Sequence, residues 1–235
     1  MTVLLYDGTW DGLLSAVFLA YNRENVTISK RGGMFFDYEQ TEADDERVSR
    51  LTAGMARLGP EVPELVYRAF CAEYEGFEDD LLLSLRLGFK LGADPFSQRK
   101  YPFIERVAAA ALKAGREAHR FLGLVRFVHA GNGLYVGDIG PDCNILPLIG
   151  GHFHDRFGDQ RIILRDVNRR SAIISDTSGW WIAELDDMPP LPDDRAFEDM
   201  WAAYFRSIAN PERVNKKLQR NFVPLKHRKH LPEFR

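Results

Sequence analysis

The sequence predicts an α+β fold with a mainly antiparallel sheet, flanking helices, a helix-rich middle section and a C-terminal helical basic tail. Strand-like runs are grouped along the chain rather than alternating with helices, which is typical of this class. Hydrophobic residues make up 45% of the 235 residues, which is enough to bury a core. We expect a single domain over residues 1–235. An alternative boundary near Tyr101 would separate a β-α-β start with helices (1–100) from a β-β-α-β-β-β core with C-terminal helices (101–235).

The first elements are a strand, a helix and a second strand. The strand Thr2–Tyr6 ends at Asp7-Gly8, where the Asp7 carboxylate can cap backbone N–H groups or face a ligand. Apolar residues at helical spacing predict a helix over Trp10–Tyr21, with Thr9 as its N-cap. A second strand is expected at Met34–Glu39.

A run of helices follows. The Thr41–Asp44 segment has the pattern of a capping box and predicts a helix over Ala43–Leu58. Proline and glycine residues separate three further predicted helices, at Pro63–Tyr74, Phe77–Lys90 and Pro102–Phe121.

Strand patterns dominate the next section. Alternating residues over Gly123–His129, a glycine-rich turn and Leu134–Ile139 predict a hairpin. An apolar stripe predicts a helix over Asn144–Phe157 that packs on this sheet. Three short strands are predicted next, at Arg161–Asp166, Ser171–Ser175 and Gly179–Leu185. A helix at Asp194–Ile208 and the basic tail complete the chain.

Composition excludes several classes of protein. No apolar run reaches the roughly 18 residues that a membrane helix needs, and no signal peptide is recognisable, so we expect a cytoplasmic protein without membrane contact. Cys71 and Cys143 are far apart in sequence and are expected to be buried free thiols. We therefore predict no metal and no cofactor held by this chain alone.

Positive charge is concentrated at the C-terminal end. Residues 206–235 contain nine Lys or Arg and two Glu, whereas the remainder of the chain carries a net charge of about −10. Such asymmetry indicates either an anionic partner or a basic C-terminus that pairs with the acidic remainder of the chain. For the first alternative, nucleic-acid contact is predicted for the tail cations. These are Lys216, Lys217, Arg220, Lys226, Arg228 and Lys229. The alternative is a C-terminal arm that packs Leu218, Phe222 and Leu225 onto the rest of the protein.

Two polar clusters are candidates for chemistry. On the predicted helix, His152 and Arg156 are four residues apart and share one face, whereas His154 points elsewhere. If the segment were extended, His152 and His154 could instead bind a metal with Asp155 or Asp166, although the apolar stripe favours the helix.

The second cluster lies where a helix meets a strand. His119 is expected to face inward, as a core histidine or as an acid, base or anion contact beside Arg126. We expect His119, Arg126, His152 and Arg156 to converge on one concave surface that binds a phosphate. The candidate catalytic residues are His119, Arg126, His152 and Asp166. The candidate phosphate-binding residues are Arg126, His152, Arg156, Arg169 and Arg170.

A set of segments spread along the chain resembles an uncharacterised protein family linked to DNA metabolism. The segments are Tyr6–Gly8 with Asp11-Gly12, Glu117–Arg120, Arg126-Phe127, Pro141–Asn144, Leu146–Leu148, His152-Phe153 with Arg156-Phe157, Asp166, Arg169-Arg170, and Asn215, Leu218–Arg220 and Pro224. One departure is His227-Arg228, where many relatives have Tyr-Trp, so an aromatic stacking role is not carried over to these two positions.

The resemblance implies a setting in DNA repair or modification. Proteins of this kind accompany a radical-SAM protein, and related domains are fused to a domain like uracil-DNA glycosylase. This chain has no CxxxCxxC motif, so an iron–sulfur centre would belong to the partner. We expect a DNA-binding accessory protein of such a system. The alternatives are an enzyme acting on DNA or a nucleotide through the His/Arg/Asp cluster, and an interaction scaffold without DNA contact.

Overall fold

A computed structural model describes residues 2–32, 37–97, 100–188 and 222–234. The chain forms two compact units, Met1–Ala114 and Gly115–Arg235. Within the described residues, no helix combines the length and the apolar character needed to cross a membrane.

The first unit is built on a three-stranded sheet with the order β2-β1-β3. Its strands are β1 (Thr2–Leu5), β2 (Val26–Ser29) and β3 (Asp37–Gln40), and every pairing is parallel. The expectation of a mainly antiparallel sheet is therefore wrong here. The crossover helix α1 (Trp10–Ala20) connects β1 to β2 and makes them parallel. Strand β2 was not predicted, because its four residues are too few to show an alternating pattern.

Two helices of this unit, α1 and α2 (Asp45–Leu58), begin with a side-chain cap. Thr9 accepts a hydrogen bond from the Gly12 N–H at 3.0 Å, as predicted. Asp7 in turn accepts hydrogen bonds from the Thr9 N–H at 2.9 Å and the Thr9 hydroxyl at 2.6 Å, which is the capping role. The next helix is capped by Asp44 through the Arg47 N–H at 2.8 Å, so a capping box that begins at Thr41 does not form.

Four more helices follow in sequence. They are α2 (Asp45–Leu58), α3 (Val62–Cys71), α4 (Phe77–Leu91) and α5 (Pro102–Leu124).

The prediction that Cys71 and Cys143 are buried free thiols is confirmed.

The second unit contains a five-stranded sheet with the order β4-β5-β6-β7-β8. The strands are β4 (Phe127–His129), β5 (Leu134–Ile139), β6 (Arg161–Asp166), β7 (Ser171–Asp176) and β8 (Gly179–Glu184). The sheet is mixed: β5 and β6 are parallel because helix α6 (Leu146–Phe157) joins them, and the other three pairings are antiparallel.

Helix α6 packs on this sheet through its apolar side. Ile145, Ile149 and Phe153 are buried, and the ring of Phe153 lies 5.4 Å from that of Phe127 on β4. This agrees with the stripe that the sequence showed. The predicted helix Asp194–Ile208 lies outside the described residues. After it, the structure describes a 3-10 helix over Leu225–His230 and another over Pro232–Phe234.

Two adjacent glycines of α6 test this packing. A Cβ atom at Gly150 would lie 2.4 Å from the ring of Trp180, whereas one at Gly151 would lie 3.9 Å from its Nε1. We expect Gly150→Ala to lower the free energy of unfolding by about 1–3 kcal/mol, because the Trp180 ring must move. Gly151→Ala should be neutral or should stabilise by up to about 1 kcal/mol through helix propensity. Urea unfolding of both variants checks this, and equal effects at the two positions would contradict the packing.

Candidate nucleic-acid interface

A buried carboxylate organises the loop that follows β5. Glu117, on α5, is only 5% exposed. Its two oxygens accept hydrogen bonds from the backbone N–H groups of Asp142 at 3.1 Å and Cys143 at 2.8 Å. Because these donors belong to the Pro141–Asn144 segment, Glu117 fixes the conformation of that loop.

A second buried carboxylate holds the same loop from the other side. Asp166 is fully buried and accepts hydrogen bonds from the N–H groups of Asn168 and Arg169 at 2.9 and 3.3 Å and from the Arg169 guanidinium at 3.0 Å. Burial raises the pKa of Asp166, and the Arg169 charge opposes that rise. Arg169 also donates to the carbonyls of Pro141 and Asp142, so loop and ion pair form one network.

The C-terminal segment, Phe222–Phe234, is fixed onto this network. Lys226 forms an ion pair with Asp142, and Leu231 is buried. Near the end of the segment, the carboxylate of Glu233 accepts a hydrogen bond from Arg126 at 2.6 Å. Two ion pairs and a buried leucine therefore hold this segment in place.

His227 is the most deeply buried polar residue of the C-terminal segment. It is 2% exposed, and its ring packs edge-on against Phe121 at 4.8 Å. Its Nε2 lies 4.0 Å from a carboxylate oxygen of Glu117, which is too far for a direct hydrogen bond. Neither ring nitrogen has a hydrogen-bond partner among the described residues.

This burial makes stability depend on pH. Burial lowers the pKa of His227, with smaller lowering effects from Lys226 and Arg120, while Glu117 and Asp142 raise it. In the unfolded chain the imidazole takes up a proton near its ordinary pKa of about 6.5, whereas in the folded protein it resists protonation. The contribution of His227 to stability is therefore present above about pH 6.5 and is lost as the pH falls below it.

We expect His227→Phe to flatten the pH dependence of the free energy of unfolding between about pH 7.5 and 5.5. Urea unfolding at a series of pH values measures this for both proteins. Identical slopes for variant and wild type would show that His227 titrates normally.

Most of the cations predicted to bind phosphate are engaged within the protein. Arg126 pairs with Glu233, Arg169 pairs with Asp166, and Arg170 donates to the carbonyls of Leu185 and Asp186. In the tail, Lys226 pairs with Asp142, and Arg228 donates to the Val223 carbonyl at 3.2 Å while stacking 4.4 Å above the Phe234 ring. These contacts give the cations a structural role, although the side chain of Lys226 remains 46% exposed.

A smaller set of cations lies on the surface. Lys229 and Arg156 are exposed, as is His152. His119 is exposed too, so the expectation that it faces inward is wrong. Its neighbour on that face, Leu112, is itself 46% exposed, so this side of α5 faces solvent. Lys216, Lys217 and Arg220 lie outside the described residues.

Two residues that the sequence reasoning did not select belong with this set. Arg116 is exposed and Arg120 is half-buried, one helical turn apart on α5, and neither forms an ion pair within the described part of the chain. Arg120 is close enough to His227 to influence its pKa, which places this end of α5 beside the C-terminal segment. The four-residue spacing of the two arginines was the available signal. We call Arg116, Arg120, Lys226 and Lys229 the cationic face.

The four predicted catalytic residues have different surroundings in the structure. Asp166 is enclosed by its hydrogen bonds, Arg126 is engaged by Glu233, and His119 and His152 are exposed on two different helices. The catalytic roles of these four residues, and their convergence with Arg156, remain predictions.

The metal alternative depends on an extended segment around His152. That segment is helical, and His154 is engaged through Nδ1 with the Ser175 hydroxyl at 2.8 Å. Among the described residues, no three His, Cys, Asp or Glu side chains are grouped as metal ligands would be.

Comparison with known proteins gives one match. Residues 75–233 match the family described as a domain of unknown function, DUF4130. No curated protein and no solved structure matches the chain. The matched residues include Glu117 and Asp166, the two buried carboxylates that hold the Pro141–Asn144 loop, and the buried His227.

Proposed function

Since the chain belongs to the DUF4130 family, whose function is unknown, we propose that it is a DNA-binding accessory protein of a repair or modification system that acts with a radical-SAM partner. The observation that carries the DNA-binding part is the cationic face. Arg116, Arg120 and Lys229 form no ion pair within the described residues, and Lys226 is 46% exposed beside Asp142, so these cations can replace the counterions of a phosphate backbone. The proposal includes a cytoplasmic location.

The arrangement of the cationic face suits a phosphate backbone. Arg116 and Arg120 project from a long helix, and Arg guanidinium groups can contact phosphates through paired hydrogen bonds. Lys226 and Lys229 project from the neighbouring C-terminal segment, which ion pairs and buried side chains hold in place. The two arginines and Lys229 are therefore carried by two fixed elements, and Lys226 can add to them by exchanging Asp142 for a phosphate.

The partner part of the proposal comes from the resemblance of the sequence to proteins that accompany a radical-SAM protein. The chain contains only two cysteines, which cannot hold an iron–sulfur cluster of the usual four thiolates. The redox chemistry of the system would therefore belong to the partner, and this chain would contribute binding of the DNA.

Direct binding tests the proposal. Fluorescence anisotropy with labelled single-stranded and duplex DNA is expected to show binding at about 50 mM salt that weakens steeply by about 200 mM. Adding the radical-SAM protein should raise the affinity, because two linked sites increase the effective concentration. Absence of DNA binding at low salt, with and without the partner, would leave the scaffold alternative.

A further inference from the structure

We infer that the C-terminal segment is a stacking platform that selects single-stranded over duplex nucleic acid, with Phe222 as the stacking residue. This inference rests on the proposed function. It starts from the exposure of Phe222, whose residue surface is 67% accessible in the folded protein. A large aromatic ring presented to solvent beside exposed cations is the combination on which unpaired bases stack.

The segment that carries Phe222 is held in place from Lys226 onward. Lys226 forms an ion pair with Asp142, and Glu233 forms one with Arg126. Between them, His227 is buried against Phe121. A ring held on a fixed support loses little conformational entropy when a base stacks on it. Phe222 is thus presented for contact although it contributes little to the packing of the protein.

Two lysines that follow Phe222 in the sequence fit the same ligand. Lys226 and Lys229 follow Phe222 by four and seven residues and are both exposed. They can contact phosphates on either side of a nucleotide whose base stacks on the ring. The predicted arm would pack Leu218, Phe222 and Leu225 onto the protein. Phe222 and Leu225 are instead 67% and 63% exposed, and Leu218 lies outside the described residues.

Strand selection follows from what each nucleic acid presents. In a duplex the base faces are stacked on one another, so that a single exposed phenylalanine meets only backbone and groove edges. In a single strand each base has a free face, and stacking on an aromatic side chain adds to the phosphate contacts. Phe222 should therefore contribute to binding of the single strand alone.

The test compares three variants on a labelled 12-nucleotide oligo-dT and a 12-base-pair duplex. Phe222→Ala is expected to weaken binding of the single strand by about 5- to 100-fold and to change binding of the duplex by less than about twofold. Phe222→Trp keeps a π face and should retain the affinity. Leu225→Ala removes an equally exposed but non-aromatic side chain from the same segment and should have no effect.

The outcomes separate this inference from the proposed function. If the wild-type protein binds both DNAs and Phe222→Ala lowers neither affinity, or lowers both equally, the stacking role is wrong and DNA binding stands. If Leu225→Ala weakens binding as much as Phe222→Ala, the segment acts through apolar contact and not through stacking. If the wild-type protein binds neither DNA, both the inference and the proposed function fail.

Discussion

Replacing Asp166 with Ala is expected to lower the free energy of unfolding by about 3–5 kcal/mol, which is the usual cost of removing one partner from a buried ion pair. Asp166 is fully buried, and the Arg169 side chain that it neutralises is only 19% exposed. Loss of the carboxylate also leaves the N–H groups of Asn168 and Arg169 without their acceptor. Urea unfolding at neutral pH measures the effect.

Asp166→Asn is the matched control for this prediction. It keeps an oxygen that can accept from the two backbone N–H groups, and it replaces the charged oxygen that accepts from the Arg169 guanidinium with a neutral NH2 group. It should therefore destabilise the protein less than Asp166→Ala does. A loss below about 1 kcal/mol for Asp166→Ala would mean that Arg169 is satisfied by the Pro141 and Asp142 carbonyls alone.

Charge reversal at Arg116 and Arg120 is expected to weaken DNA binding by about 10- to 100-fold at 100 mM salt, because two attractive phosphate contacts become repulsive. The slope of the logarithm of affinity against the logarithm of salt concentration should fall by about two for duplex DNA. The double variant Arg116→Glu, Arg120→Glu should still fold, since neither residue forms an ion pair within the described ranges. Anisotropy titrations across a salt series give both quantities.

A control variant must separate the loss of local phosphate contacts from the change in the net charge of the protein. Arg50 and Arg57 are exposed on α2 in the first unit, and their reversal to Glu changes the net charge by the same amount. We expect the control to keep most of the affinity. If both double variants weaken DNA binding equally, the attraction to DNA depends on the net charge of the whole chain, and the cationic face is not the binding site.

The helices and the second group of strands could be predicted from the sequence because their signals are local. The Thr9 cap, the apolar stripe that contains Phe153, and the hairpin of β4 and β5 all depend on residues that are close together in the sequence. The direction of strand pairing is not local. The parallel sheet of the first unit contains β2 (Val26–Ser29), whose four residues carry no alternation, and the mixed sheet of the second unit is set by the α6 connection.

The interface could be predicted only in part for a related reason. Sequence reasoning found the basic tail, but it could not tell which cations are neutralised by distant carboxylates. Lys226 meets Asp142 and Arg126 meets Glu233 only after folding, at sequence separations of 84 and 107 residues. Arg116 and Arg120 were overlooked because only the folded structure shows that neither forms such an ion pair within the described residues. The buried position of His227 likewise follows from tertiary packing against Phe121.

Photo-crosslinking of bound DNA tests the location of the interface most directly. Single-stranded DNA carrying 5-iodouracil would be bound at low salt, irradiated, and the crosslinked peptides identified by mass spectrometry. The cationic face predicts crosslinks in the C-terminal segment and in the part of α5 that carries Arg116 and Arg120, and the stacking role predicts the strongest crosslink at Phe222. Crosslinks confined to the first unit, Met1–Ala114, would contradict this account of how the protein binds DNA.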